Sequence, residues 1–389
     1  MIRKDRLVKL TQKLVQINSV NPPGNEYALS QLIQKEMRDL GLAVKIYSFA
    51  SYRPNVVATL KGTWPRAHAR REAILMTPHF DTVPLGKGWK YPPLGGIIKN
   101  GKIYGRGATD DKGNLASCME VMQSLVEDKI RLKRDVILAA TVDEETGSHY
   151  GILPLLDRKI LRPKVALILD SDEFDTIIVQ KGLIHGRIQI FGKKAHGAYN
   201  WRGINAIELA AQVMTRLKKM HLPYKRHPLL RGPTLNIGVI HGGDKVNMVP
   251  DFCEFAFDFR YVPGMNPQLI LRNMKEIIQN EVKRFKIIVD AQQDPYAIDS
   301  NHPFVRTYVQ TVRRLRQRAS VKGSEGATVI TFFKKHGIPA LATGFGARGM
   351  AHTNDEYIRI ETLYKGTQIL EQFFKDYDAL NIISPGRAG

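Results

Sequence analysis

Apolar residues recur at helical spacing near the start of the chain: Leu7, Leu10, Leu14 and Ile17, then Leu29, Leu32, Ile33, Met37 and Leu40. Gly41 is placed to end the second run. Short apolar runs suited to buried strands follow at 44–47, 56–60 and 73–76. A Gly- and Pro-rich stretch covers 84–107, ahead of a helix predicted over 115–126. A strand over 136–141, a helix over 151–159 and a strand over 165–169 come next. Helices alternating with continuous apolar strands predict an α/β sheet with both faces covered.

The pattern changes near Gly182. Runs at 184–191 and 234–240 are strand-like, with a helix predicted between them over 204–220. The segment 252–261 alternates by twos, with Cys253, Phe255, Phe257 and Phe259 on one side and Glu254, Asp258 and Arg260 on the other. That is the signature of a half-exposed antiparallel strand. A helix over 268–285 and a strand over 286–290 complete this α+β stretch. From Asn301 the α/β style returns, with a strand over 338–343 and a last helix over 361–374. The expected organisation is an α/β domain with a mixed central sheet, built from 1–183 and 296–389 and interrupted by an inserted α+β domain at 184–295.

Composition narrows the class. Across 389 residues, 43% hydrophobic and 24% charged is ordinary globular chemistry. Two cysteines make neither a disulfide scaffold nor a Cys-rich zinc module. No apolar run approaches the roughly 20 residues that span a bilayer. The start, Met1-Ile2-Arg3-Lys4-Asp5, is charged and lacks an apolar signal core, so the expectation is a cytoplasmic protein with no membrane partner. The formal net charge of +21 is the unusual number. Its positives fall in small clusters at 66–71, 129–134, 216–231 and 313–318, without a recognisable nucleic-acid-binding motif. A basic, solvated surface that steers anionic substrates accounts for them more simply than nucleic-acid binding does.

Five stretches carry candidate chemistry, each at the end of a predicted strand or in the loop after it, where open α/β sheets bind ligands. His79 and Asp81 share a face two residues apart, and a carboxylate beside a histidine can fix the tautomer of a metal-bound imidazole. Asp110 and Asp111 follow a Gly-rich loop and open a helix, as a helix cap or as a bridging carboxylate. Asp143, Glu144 and Glu145 follow a buried strand; acids this close need a cation or a shared proton unless they are fully solvated. Asp170 ends an apolar strand, with Asp172 two residues on. His352 and Glu356 lie in a loop after the strand at 338–343. Nitrogen and oxygen donors without cysteine suit catalytic Zn²⁺, Mn²⁺ or Co²⁺ better than structural zinc. Two such ions sharing a carboxylate recur in hydrolases.

In order, H-x-D, G-R-G-x-x-D-D-K-G, D-E-E-x-G-S, strand-D and A-H-x-x-x-E resemble the motifs of the M20 metallopeptidase family over nearly the whole chain. That family includes acetylornithine deacetylases, succinyl-diaminopimelate desuccinylases, aminoacylases and carboxypeptidase G type enzymes. The resemblance implies an α/β catalytic domain with an inserted lid and dimerisation domain, and a homodimer formed through the lid. It implies that His79 and Asp170 bind one metal and Glu145 and His352 the other, with Asp110 bridging and Asp172 as the alternative to Asp170. Asp111 would follow the bridge across a cis peptide. Asp81 would orient His79, and Glu144 would be the general base.

The segment Gly192-Lys193-Lys194-Ala195-His196-Gly197 resembles the family's lid motif, making His196 an oxyanion donor. Asn247 and Arg260 resemble lid residues that hold the substrate carboxylate, a surface salt bridge being the alternative for Arg260. Glu325 and Gly326 fall in a loop resembling a substrate pocket. Glu325 stands where the family usually has Asp, and Pro78 where it often has Gly; both departures bear on the substrate.

The implied activity is two-metal hydrolysis of an amide bond in a small anionic N-acyl amino acid or peptide, through a metal-bound hydroxide. Zinc is the first choice of ion, with cobalt and manganese as alternatives. A dipeptidase or carboxypeptidase of the same family is the alternative activity. A non-catalytic protein that binds an amino-acid-like ligand or nucleic acid is the other class.

Overall fold

The structure, a computed structural model, describes residues 1–65, 68 and 72–380. Apart from His68, the basic cluster at 66–71 lies outside the described residues. Two compact units are present: Met1–Ile178 with Ile298–Lys322 and Thr328–Gly389, and Val179–Ala297 with Gly323–Ala327. Among the described residues, no helix is long and apolar enough to cross a membrane.

In the first unit a mixed sheet runs in the order Ala43–Ser48, Pro54–Leu60, Val136–Ala140, Ile74–Thr77, Val165–Glu173, Ala340–Gly344 and Asp175–Gln180. The strands from Val136–Ala140 to Ala340–Gly344 are parallel to one another, and the flanking strands are antiparallel. Ile74, Leu75 and Met76 are all buried, as are Val165, Ala166 and Leu167. Such unbroken burial reflects helices on both faces. The helix Lys112–Glu127 is buried almost throughout and packs against Lys4–Gln16 and Ile360–Ala379. Tyr27–Asp39 packs against Pro54–Leu60.

The Gly- and Pro-rich stretch holds a hairpin. Ile97–Lys99 pairs with Lys102–Tyr104 across Asn100 and Gly101, both at positive φ (49° and 70°). Asn-Gly suits a two-residue turn of that kind. A second difference lies at Val165–Glu173, which runs past Asp170 instead of stopping before it. Its pairing with Ala340–Gly344 slips after Leu169↔Thr343, and the next pair is Glu173↔Gly344. At that slip the backbones nearly touch: a Cβ on Gly344 would lie 2.0 Å from the Ser171 carbonyl oxygen. Gly344→Ala is therefore expected to destabilise the protein by roughly 1–3 kcal/mol, the range for overpacking. The urea unfolding midpoint checks this, and an unchanged midpoint would count against the close approach.

The second unit holds an antiparallel sheet in the order Thr234–Gly242, Phe252–Tyr261, Gly182–Phe191, Phe285–Gln293. Phe252–Tyr261 alternates as expected: Cys253, Phe255, Phe257 and Phe259 are buried, and Glu254, Ala256, Asp258 and Arg260 are half-buried. The helices Ala206–Lys218 and Pro267–Glu281 join these side chains in one core through Val213, Met274 and Ile278. Asn205 and Asn266 cap them by accepting N–H bonds from their first turns. The second helix stops at Glu281, short of the expected 285, because Val282 turns extended (φ −137°) and Phe285 opens the next strand.

Candidate metal centre

Four adjacent parallel strands deliver most of the candidate residues at their carboxyl ends. His79 lies just past Ile74–Thr77, the acidic turn just past Val136–Ala140, and the His352 loop follows Ala340–Gly344. Asp170 lies within Val165–Glu173, at the slip. Asp110 comes from the loop that leads into Lys112–Glu127.

His79 is buried. Its Nε2 is 2.9 Å from Asp110 Oδ1, and its Nδ1 is 3.5 Å from Asp81 Oδ1 and 3.1 Å from the Asp81 carbonyl. Asp81, fully buried, also accepts from the backbone N–H groups of Glu144 (3.1 Å) and Glu145 (3.2 Å). One carboxylate thus fastens His79 to the acidic turn. His352 brings Nε2 to 3.1 Å from Asp110 Oδ2 and 3.1 Å from Glu145 Oε2. Asp110 consequently gives one oxygen to each imidazole, the disposition of a bridging ligand.

The Asp110–Asp111 peptide is cis, as the family resemblance implies. Asp111 is buried and accepts from the His79 backbone N–H (3.1 Å) and Asn114 Nδ2 (2.6 Å). Glu356 supports the loop from beneath: Oε1 accepts from the backbone N–H groups of Thr109 (2.9 Å) and Asp110 (3.0 Å), and Oε2 from Arg106 Nη1 (2.7 Å). Burial, then the Asp110 charge, pushes the Glu356 carboxyl up to about 7.

Burial, hydrogen bonds and neighbouring charges shift these groups in opposite directions. Burial and then the Asp110 charge push Asp170 up to about 7. Burial and then the Asp170 charge hold Glu144 well above the ordinary carboxyl range. For Asp110 burial also works upward, but hydrogen bonds from His352 and His79 outweigh it and its carboxyl lies below its usual value. The same bond to Asp110, followed by that to Glu145, raises His352 to about 10.

The ligating atoms of His79, Asp110 and Glu145 lie within 4.8 Å of one another, as do those of His79, Glu144 and Asp170. Carboxylates that raise one another's pKa values are carboxylates that a cation would stabilise. With nitrogen and oxygen donors and no thiolate, the set fits a divalent ion of the zinc, manganese or cobalt kind. Asp170 belongs to this cluster; Asp172 lies 3.8 Å from Arg348 Nη1 instead.

The remaining candidates belong to the second unit. Exposed His196 pairs with Met248 in a short ladder, and the adjoining Gly197 N–H bonds to the Asn247 carbonyl (2.8 Å), so His196 and Asn247 are neighbours. Arg260 places Nε 2.8 Å and Nη2 3.1 Å from the two Asp258 oxygens. Glu325 accepts from Lys181 Nζ (2.5 Å) and from the Arg231 backbone N–H (2.8 Å), and Gly326 N–H bonds to Ser324 Oγ (3.2 Å).

Sequence reasoning passed over several residues that brace the cluster. Asn21 donates to Asp81 Oδ2 (2.9 Å), and Arg53 reaches Asp143. Glu356 was visible within its motif but not its grip on the Asp110 backbone. Arg53 stands alone between unrelated residues, with no spacing to mark it.

The model of peptidase family M20/M25/M40 matches residues 75–376, and the chain belongs to that family. It is accordingly a hydrolase of the family's peptidase and amidohydrolase kind. An acetylornithine deacetylase of Vibrio cholerae is 26% identical over 365 residues, covering 91% of this chain and 92% of that protein. A tripeptidase structure from Staphylococcus aureus superposes with a TM-score of 0.82 at 25% identity, covering 98% of this chain and 100% of that one. A dinuclear metal-binding M20 peptidase from Bacillus subtilis shares the fold, with a TM-score of 0.72 at 16% identity over 95% of this chain and 97% of that one.

Proposed function

We propose that the protein hydrolyses the amide bond of a small N-acyl amino acid, using two divalent metal ions. The observation that carries the reading is Asp110, whose two oxygens face one imidazole each beside Glu145. His79, Asp110 and Asp170 would hold one ion, and Asp110, Glu145 and His352 the other. When bound, the ions would act as Lewis acids that polarise the amide carbonyl and acidify water. Glu144 takes a proton from the attacking water and returns it to the leaving nitrogen as the C–N bond breaks. Asp81 keeps His79 in one tautomer and orientation.

The reading gives His196 the part of a donor to the developing oxyanion. Asn247 and Arg260 would meet the substrate carboxylate, Arg260 by leaving Asp258, and Glu325 and Gly326 would shape the substrate loop. It also includes a catalytic domain at 1–183 and 296–389 with a lid at 184–295, and a cytoplasmic homodimer. Two buried, unpaired cysteines suit a reducing compartment. Exposed Val239 and Ile240 on the outer strand Thr234–Gly242 suit pairing with a second copy. The likeness to a tripeptidase supports peptide cleavage as the second reading.

Amine release from N-acetyl, N-succinyl and dipeptide or tripeptide substrates, each with Zn²⁺, Co²⁺ or Mn²⁺, separates the two. The expected result is turnover of an N-acyl amino acid at least tenfold above any peptide. The reverse order would establish the peptidase reading, and no amine release from any of them would remove both.

A further inference from the structure

Beneath the acidic turn lies a buried ion network that the catalytic reading does not use. Glu26 is fully buried and Arg53 is 7% exposed. The guanidinium grips Glu26 through Nη2 (2.8 Å) and Nε (3.2 Å) and turns Nη1 to Asp143 Oδ1 (2.8 Å). Asp143, 2% exposed, has both oxygens engaged. Oδ1 also accepts from Thr146 Oγ1, and Oδ2 accepts from the Tyr150 backbone N–H (2.9 Å). Asn21 Nδ2 joins the layers, lying 2.9 Å from both Asp81 Oδ2 and Thr146 Oγ1.

The position of Asp143 matters. It directly precedes Glu144 and sits in the left-handed region (φ 66°, ψ 20°), which is uncommon for non-glycine residues although Asp enters it more readily than most. Two holds set the direction in which Glu144 leaves the chain: Asp81 on its backbone N–H, and the partners of the Asp143 side chain just before it. Arg53 is its one cationic partner among the ion pairs of the described residues. A tight fit marks the same arrangement: a Cβ on Gly24 would come within 2.6 Å of Arg53 Cζ.

We propose that Arg53 is a positioning residue for the reaction: by clamping Asp143 to Glu26, it fixes the backbone turn that aims Glu144 at the attacking water. It acts through Asp143 and touches no reacting atom. The proposal rests on the reading of Glu144 as general base. Misplacing a reacting group by about 1 Å can lower turnover by about 100-fold. Arg is required because its planar fork serves two carboxylates at once, which a lysine ammonium does less well.

The test uses the full chain saturated with Zn²⁺. The double variant Arg53→Met with Glu26→Gln removes the clamp without stranding Glu26. It is expected to keep its circular dichroism spectrum and its bound zinc per chain while kcat falls about 100-fold and KM stays within about threefold. Arg53→Lys should recover part of that loss. Glu26→Gln alone, which keeps Arg53 Nη1 on Asp143 but weakens its anchor, should lower the melting temperature and cost less of kcat than the double variant does. A purely structural role would move stability in all three and kcat in none. Should the double variant fail to fold, Arg53→Lys and Asp143→Asn carry the same kcat comparison.

Glu144→Gln, assayed alongside, separates the two readings. If it stays active, the general-base reading falls, and the Arg53 proposal with it. If it is inactive while a folded, zinc-loaded Arg53 variant turns over at the wild-type rate, the Arg53 proposal alone is overturned. Loss of kcat that merely tracks loss of zinc would also overturn it.

Discussion

Glu144→Gln is expected to lower kcat by about 100-fold to 10,000-fold, the span that a positioned general base contributes. Glutamine keeps the size and hydrogen-bonding outline of the side chain but cannot take up a proton at neutral pH. The main chain should be indifferent to the change, because the Glu144 N–H to Asp81 Oδ1 bond (3.1 Å) involves no side-chain atom of Glu144. Stability should change little, because glutamine fills the same volume as glutamate. Metal content should not change, because the ligand set proposed for the ions excludes Glu144. Single-turnover amine release, elemental analysis and a thermal melt on the same sample check all three. A folded, metal-loaded variant with wild-type kcat would contradict the role.

Removing metal is expected to have the larger effect. Dialysis against a chelator should take amine release below detection, and added Zn²⁺, Co²⁺ or Mn²⁺ should restore it. Asp110, Glu144, Glu145 and Asp170 are gathered around two imidazoles, and burial with mutual charge raises Glu144 and Asp170. A divalent ion answers that repulsion and takes the imidazoles as neutral ligands. Bound metal should also stabilise the fold. A ligand that binds only the folded chain, present at 1,000 times its Kd, stabilises by about 4.1 kcal/mol. The melting temperature of the metal-free chain should therefore climb with added Zn²⁺. Activity that survives thorough chelation would contradict the account, whatever the melting behaviour.

Much of this site was legible in sequence because its parts are local. His79 and Asp81, Asp110 and Asp111, and Asp143 to Glu145 are each contiguous or nearly so and follow apolar strands. Parallel strands bring their carboxyl ends to one edge of a sheet, so motifs far apart in the chain meet there. The bracing residues were not legible for the opposite reason. Glu26, Arg53 and Asn21 bear on the site only through tertiary contacts, and no period or spacing links them to Asp143. Polar residues also concealed part of a strand: the apolar run stops at Leu169, yet Val165–Glu173 continues past it. At 278–285 the failure ran the other way. Ile278, Val282 and Phe285 keep helical spacing across a real helix end, because Val282 and Phe285 are apolar for the next element's packing. The Asn100-Gly101 hairpin was signalled by its own turn residues and hidden by the glycines and prolines around it.

The most direct measurement is a titration of the metal-free chain with Zn²⁺, following amine release from an N-acyl amino acid at each addition. Activity should rise from zero and level off at two ions per chain. A plateau at one ion would contradict the bridged pair around Asp110, and turnover undiminished in the metal-free chain would contradict the metal-dependent site itself.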